Sequence, residues 1–306
     1  MNRRHHASAT ILDGPESELA AFEQEEAEGK RRAEPIEAIE ANGTSCAAAE
    51  TKEAAQADTQ SSRPGSPAKK KKKKKKRGKG NGKKKPKVVV PPFEGLYEGA
   101  EKDGLRHGDG KLTWSNGDVF IGKFAHGYRS GQGKYSIERG LRVYVGSWRR
   151  SLRHGKGKET YADGSRYEGD HVNDMWHGNG VRSTSAGSYE GEFEKGMKHG
   201  TGKMVWIGSR ATYTGMWEHG FFHGTGTYVS KDGTIYEGEW RKGVRSGNGA
   251  SLLPNGEKYQ GQWKNNVYHG VGIYRWSNGK WRKGEWAQGS RIRWLTNDRI
   301  GNMPSH

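Results

Sequence analysis

The sequence predicts an all-β fold: an elongated, single-layer antiparallel ribbon of stacked β-hairpins, preceded by a disordered N-terminal region. Three observations lead there. A unit close to Y-x-G-x-W-x-x-x-x-x-H-G-x-G recurs eight times between Tyr97 and Trp281, at spacings of 22 to 24 residues. Apolar residues make up 30% of the chain while glycine occurs 48 times, too little core material for a globular domain of this length. Asn-Gly and Asp-Gly pairs punctuate the repeats. A short fixed period marks a stacked array, because each unit can bury its apolar face only against its neighbours.

The units begin at Tyr97, Phe120, Tyr144, Tyr167, Tyr189, Tyr213, Tyr236 and Tyr259. Position 3 is glycine in every unit (Gly99, Gly122, Gly146, Gly169, Gly191, Gly215, Gly238, Gly261), and so are positions 12 and 14. Position 5 is aromatic in six units and is Glu101 and His171 in the other two. Positions 1, 3 and 5 alternate, so they share one face of a strand. Four or five glycines per unit exclude a helix, since each costs about 1 kcal/mol there relative to alanine. A polar turn such as Lys195-Gly196 follows, and the His-Gly-x-Gly segment opens a second strand. Asn116-Gly117, Asp163-Gly164, Asp232-Gly233, Asn255-Gly256 and Asn278-Gly279 then close the hairpin through turns that need positive φ. With position 3 empty, the rings at positions 1 and 5 can lie over the gap, giving a Tyr/Trp ladder as the core. Two strands per unit at about 4.8 Å give a ribbon on the order of 75 Å long. Arg282 to Trp286 keeps the Gly and Trp but not the Tyr, as a truncated ninth unit would.

Four segments follow from the composition. Residues 1–68 carry 7 Lys/Arg and 13 Asp/Glu and read as a disordered acidic arm. Residues 69–92 form a polybasic linker: Lys69, Lys70, Lys71, Lys72, Lys73, Lys74, Lys75 and Lys76 are consecutive, and Arg77 follows. Residues 93–295 are the repeat array, and 296–306 a C-terminal tail. The single cysteine, Cys46, permits no intrachain disulfide. No apolar run suits a signal peptide or a membrane-spanning helix, so the expected location is cytoplasmic.

This pattern resembles the MORN (membrane occupation and recognition nexus) repeat family. The resemblance rests on Y-E-G-x-W and H-G-x-G at a 23-residue period, as in Tyr236–Trp240 and His199–Gly202, and covers Tyr97 to about Trp286. Ser130 and Ser246 stand where His is usual, and His171 replaces an aromatic. The resemblance implies assembly at cytoskeletal or membrane-linked structures. An almost pure MORN chain with a charged low-complexity segment is similar to radial-spoke-head and other axonemal members, which implies a cilium or flagellum. Some members carry lipid-kinase or SET-methyltransferase domains; about 20 residues follow Trp286, so neither is expected in this sequence.

The residues argue against catalysis. His107, His154, His177, His199, His223 and His269 recur at position 11. Equivalent atoms in adjacent units lie nearly 10 Å apart, whereas zinc ligands sit about 2.0–2.1 Å from the ion. The acids at position 2 (Glu98, Glu168, Glu190, Glu237) are spread in the same way, each in a similar setting. Gly78 to Lys83 lacks the spacing and preceding strand of a phosphate loop. No cofactor and no metal are expected.

The expected function is a non-enzymatic scaffold. The aromatic face, with Tyr144, Trp148, Tyr189, Phe193, Tyr213, Trp217, Tyr236, Trp240, Tyr259 and Trp263, is the candidate surface for a peptide, helix or coiled coil of a larger assembly. A homodimer is a further expectation. The lysine run is the candidate contact for polyanions, whether an acidic microtubule surface or an anionic phosphoinositide membrane. It lacks interleaved aromatics, so no specific nucleic acid is expected.

Overall fold

The computed structural model describes residues 95–300, all within one compact unit. The acidic arm and the polybasic linker lie outside the described residues, as do residues 301–306.

The described chain forms a single open sheet of nineteen strands with no α-helix. The first eight are β1 Gly95–Lys102, β2 Leu105–Trp114, β3 Val119–Ala125, β4 Tyr128–Ile137, β5 Arg142–Arg149, β6 Leu152–Tyr161, β7 Arg166–Val172 and β8 Met175–Ser183. They continue as β9 Gly187–Glu194, β10 Met197–Trp206, β11 Thr212–Glu218, β12 Phe221–Val229, β13 Ile235–Arg241 and β14 Val244–Leu252. The last are β15 Lys258–Lys264, β16 Val267–Arg275, β17 Lys280–Ala287, β18 Ser290–Trp294 and β19 Arg299–Ile300. Each strand from β1 to β17 pairs antiparallel with the next, and β17 then pairs with both β18 and β19. β19 falls inside the segment read from the sequence as a tail.

Two kinds of turn alternate along the array. Within a unit the turn is two residues long, both at positive φ, as at His126-Gly127 (51° and 88°) and Lys242-Gly243 (51° and 84°). This is the I′ geometry, whose twist matches that of the flanking strands. Three of these turns lack glycine, and each compensates with a side chain. Ser151 Oγ, Asp174 Oδ1 and Asn266 Oδ1 accept the backbone N–H of Arg129, Arg153 and Arg245 in the preceding unit, at 3.2, 2.9 and 2.8 Å.

Between units the Asn-Gly and Asp-Gly pairs behave differently from the I′ pattern. Only the glycine takes positive φ, 92° at Gly117 and 88° at Gly233, for example. The Asx side chain instead accepts the N–H two residues on, as Asn116 Oδ1 does from Asp118 at 2.9 Å and Asp232 Oδ1 from Thr234 at 2.9 Å. The Asx side chain thus builds its own turn, and glycine supplies the left-handed exit. The units of irregular length differ only at these connections: unit two inserts a turn at Glu138–Gly140.

The core is one-sided. Glycines 3 and 14 face each other within a unit and across units, so one glycine per strand forms an unbroken lane from Gly99 on β1 to Gly284 on β17. On one side of the sheet, the position-1 ring of each unit (Tyr, or Phe120 in unit two) lies across its own glycine pair. A Cβ on Gly146 would come within 2.5 Å of the Tyr144 hydroxyl oxygen, and one on Gly202 within 2.3 Å of that of Tyr189. Each Tyr hydroxyl donates to the backbone carbonyl three residues on, as Tyr144 to Ser147 and Tyr236 to Glu239, both at 2.9 Å. Position 5 sits edge-on between consecutive Tyr rings; Trp217 lies 5.1 Å from Tyr189 and 5.2 Å from Tyr213. Its indole N–H reaches back to the glycine-14 carbonyl of the preceding unit, as Trp240 does to Gly226 at 3.0 Å.

Candidate interaction face

The structure places all ten aromatic candidates in this core. Tyr144, Trp148, Tyr189, Phe193, Tyr213, Trp217, Tyr236, Trp240, Tyr259 and Trp263 are each at most 5% exposed. The rings interlock edge to face, and position 10 closes over them. Sequence reading had placed a partner on these rings; packing leaves them little area to offer one.

Position 10 was missed from the sequence. Trp176, Phe222 and Tyr268 stack flat on the Tyr of their own units, the last two at 3.8 Å between centroids. In other units a cation does the same work: Arg129 lies 4.5 Å from the Trp148 ring centre, Arg245 4.8 Å from Trp263, and Lys198 5.1 Å from Trp217. A cation over an aromatic face is attracted by the ring quadrupole while its stem covers apolar surface. The signal available was the recurrence of Arg or Lys two residues before the position-12 glycine.

The aromatic ladder has one break. Its buried residues fall into two clusters, one ending at Tyr144 and Trp148 and the other beginning at Tyr167. Between them, His171 occupies position 5, at 5.1 Å from Tyr144 and 5.2 Å from Tyr167. Beside it lies the fully buried Glu159, 3.7 Å from His171 Nε2. Glu159 is paired with Arg153 and with Arg142 (3.3 Å), and it accepts from the Tyr161 hydroxyl and Trp176 Nε1. Burial pushes the His171 imidazole down to about 4, and the neighbouring Arg153 charge adds to the effect. The imidazole is therefore neutral near pH 7. Glu159 and His171 are fully buried, and the cluster acts as an ionic joint in the core.

The other side of the sheet is open. There the strand backbone is bare along the glycine lane, whose side-chain direction is toward the rings, and positions 2, 4, 13 and 15 rise beside it. A trough of about 1310 Å³ runs from Gln132 and Val145 to Thr225, and a second of about 940 Å³ runs from Thr214 to Val271. They share Thr214, Gly215 and Thr225 and so make one groove. One position-2 side chain per unit lines it: Val145, Glu168, Glu190, Thr214, Glu237 and Gln260.

Position 4 shapes the groove, and this too was missed. Each position-12 glycine has positive φ, from 56° to 86°, and makes a bulge beneath the position-4 side chain. Glu192, Glu239 and Gln262 accept the backbone N–H of position 13 (Thr201, Asn248, Val271) at 2.8, 2.8 and 3.3 Å. Asp170 does the same for Asn179 at 3.2 Å. A Cβ on Gly247 would lie 2.4 Å from the Glu239 carboxylate.

The position-11 histidines lie partly exposed near the turns. His223 Nδ1 is 3.1 Å from Glu218, and His199 Nε2 is 3.6 Å from Glu194. His107 and His199 each meet a turn histidine of the next unit, His126 and His219, at 5.7 and 5.8 Å between ring centres. Among the described residues no group of three or more metal-ligating side chains comes together. Lys69 to Lys76 and Arg77, the polyanion candidates, lie outside the described residues.

The MORN repeat matches this chain in eight consecutive segments: 97–119, 120–142, 144–166, 167–188, 189–207, 213–235, 236–258 and 259–281. This chain belongs to the MORN repeat family. MORN repeats are non-catalytic units that generally serve as protein- or membrane-binding scaffolds. The chain is also 54% identical over 43 residues to the histone-lysine N-methyltransferase SETD7 of Halocynthia roretzi. That match falls in the enzyme's MORN region and spans 14% of this chain and 11% of the enzyme. Among solved structures, the G-box domain of the microcephaly protein CPAP is similar at a TM-score of 0.25 and 12% identity, over 68% of this chain and 99% of that one. The SAS-4 TCP domain of Drosophila melanogaster, solved with a proline-rich motif of Ana2, is similar at 0.24 and 10% identity, over 65% and 94% of the two chains. At these scores neither likeness bears on function.

Proposed function

We propose that this MORN protein is a non-enzymatic scaffold that holds a linear segment of a partner protein in the groove of its glycine face. One observation carries the reading. Along the lane from Gly99 to Gly284 the side-chain direction points into the ring layer, so the rings are buried on one side and the other side shows only strand backbone between its rows of side chains. The other side is a long, open, backbone-floored trough bordered in each unit by the side chains of positions 2, 4, 13 and 15. An enclosed reaction chamber is missing from such a surface, while a repeating line of contacts is what a long ligand needs.

The assembly we favour is the ciliary or flagellar axoneme, in a radial spoke or related structure. What supports it is the resemblance of an almost pure MORN array with a charged low-complexity segment to axonemal members of the family. The second reading is a tether that joins the cytoskeleton to anionic phosphoinositide membrane, and what favours it is the run Lys69–Lys76. A tagged chain expressed in ciliated cells separates them. Retention with the detergent-insoluble axoneme supports the first. Release into the membrane fraction, abolished when Lys69–Lys76 are changed to Ser, supports the second. A diffuse chain that is fully soluble in detergent overturns both.

A further inference from the structure

The groove repeats, and its period can be compared with the periods of the chains it could hold. Two strands at about 4.8 Å put equivalent positions of successive units about 9.6 Å apart. A polyproline II segment advances about 9.3 Å in three residues, and three residues complete one turn. Every third side chain therefore returns to the same orientation once per unit, with a drift of about 0.3 Å. An α-helix brings the same face round after about seven residues and 10.5 Å, a drift near 1 Å per unit. Across the six units that line the groove, Val145 to Gln260, the helix loses about 4.5 Å of register and the polyproline segment about 1.5 Å. An extended β-strand has a side-chain period of two residues and cannot present the same face in consecutive units at a three-residue step.

The lining suits such a chain. Polyproline II makes no internal hydrogen bonds, so its carbonyls need donors from outside. Thr225, Thr227, Asn248 and Gln260 stand along the second half of the groove with hydroxyl and amide groups. The floor between them is strand backbone with no side chain pointing into the groove, which a bulky pyrrolidine ring can approach closely.

Charge then sets the register. In the position-2 row, Glu190 and Glu237 are exposed and stand two units apart, with the neutral Thr214 between them. Glu237 faces only Thr227 and Ala250 on the adjacent strands, and Glu190 faces Val181 and Lys203. Glu168, the next acid toward the N-terminus, is already paired with Lys158 at 3.3 Å. Two units correspond to six residues of polyproline II, about 18.6 Å.

Resting on the scaffold reading above, we propose that the occupant of this groove is a proline-rich segment in the polyproline II conformation, carrying basic side chains at i and i+6 and a neutral one at i+3. The basic pair meets Glu190 and Glu237, and the neutral residue meets Thr214.

The test uses the full chain and three labelled synthetic peptides of equal length and charge, read by fluorescence anisotropy at low salt. The first is proline-rich with arginines six residues apart. The second has the same composition with arginines five apart. The third is a helix former with arginines at heptad spacing. The first is expected to bind about ten-fold tighter than the second, the size of two partly sheltered ion pairs. Combined Glu190→Lys and Glu237→Lys substitution, with an unchanged melting temperature, is expected to erase that difference. Equal binding of the six- and five-spaced peptides overturns the proposal, as does tighter binding of the helical one. Hydrogen exchange tells the two levels apart. Protection of the glycine lane by the helical peptide alone removes the polyproline occupant and keeps the scaffold reading. No protection by any peptide also removes the polyproline occupant, and the axoneme experiment then judges the scaffold by itself.

Discussion

The hydroxyl of Tyr144 rests directly over Gly157, so close that a Cβ on that glycine would lie 2.3 Å from the oxygen. The same hydroxyl donates to the Ser147 carbonyl at 2.9 Å and is thereby held in place. The glycine is thus required by packing, independently of any turn. Gly157→Ala is expected to force the ring out of its seat and to cost about 1–3 kcal/mol, the usual range for overpacking. Gly208→Ala is the control, because nothing lies within 4 Å of the added carbon and its φ is not positive. Thermal melts of the two variants should separate clearly. An unshifted Gly157→Ala protein would remove the lane's packing rationale.

Trp240 is 2% exposed, packs edge-on against Tyr213 and Tyr236, and donates to Gly226 at 3.0 Å. Trp240→Ala is expected to lower stability by about 3–5 kcal/mol through the cavity it leaves. Because contacts in the array run only between neighbours, the loss should be local. Hydrogen exchange should rise in β12 to β14 and stay near wild type in β2 to β4. Uniform loosening from end to end would show that the array unfolds as one unit.

His171 gives the array an acid-side pH dependence. Its folded pKa is lowered to about 4 from the usual 6.5, with desolvation as the main cause. Between those values the unfolded chain binds a proton that the folded chain does not. Stability is therefore full above about pH 6.5 and falls as pH drops toward 4, by up to about 3 kcal/mol at 1.36 kcal/mol per unit. His171→Phe restores the ladder residue found at this position in other units. It is expected to flatten the melting temperature between pH 6.5 and 4 and to leave the acid limb below 4, where carboxylates protonate. An identical pH profile in the variant would clear His171 of the effect.

Glu159 is the carboxylate on which that joint depends. It is fully buried and offsets Arg142 and Arg153, whose side chains are themselves largely covered. Glu159→Gln keeps the shape and removes the charge. Arg153 keeps Asp174 at 2.9 Å, but leaving the buried Arg142 guanidinium without its counter-ion is expected to cost about 3 kcal/mol. A double variant, Glu159→Leu with Arg142→Leu, is expected to recover much of this, since apolar replacement of a buried pair is often neutral and Arg153 keeps Asp174. Denaturant midpoints of the two proteins decide the matter. A single variant as stable as wild type would mean that Arg142 finds another partner.

What the sequence made legible was whatever repeats with the strand period. Tyr at 1, Gly at 3 and the aromatic at 5 place the ladder and its hairpins without further help. Position 10 was illegible because Arg129, Trp176, Lys198 and Phe222 look chemically unrelated; only the structure shows that a guanidinium, an ammonium stem and a ring cover the same site. Position 4 was hidden for a different reason. Glu192 and Glu239 read as solvent-facing acids until the bulge at Gly200 and Gly247 brings a backbone N–H beneath them. The burial of the ring face was not legible because aromatic rings suit both a core and a contact. Alternation assigns them to one side, but burial depends on how consecutive units interlock.

The tyrosines impose a second limit, on the alkaline side. Burial pushes Tyr135 and Tyr144 up to about 12, and it raises Tyr167, Tyr213, Tyr236 and Tyr259 as well. In each case the folded value lies above the usual 10, so the folded chain holds a proton that the unfolded chain gives up. This stabilisation is complete below about pH 10 and is lost as pH rises through the folded values. Because the ring at position 1 recurs, the loss is multiplied along the array. Tyrosinate absorbance should therefore appear in one steep step together with loss of β-sheet circular dichroism, and not as a gradual titration near pH 10. Unit two carries Phe120 at position 1, so its contribution comes from Tyr135 instead. Tyr213→Phe combined with Tyr236→Phe should move the alkaline midpoint upward, while each lost hydroxyl bond costs about 1 kcal/mol at neutral pH. Gradual ionisation with the sheet intact would mean that the hydroxyls over the glycine lane are open to solvent.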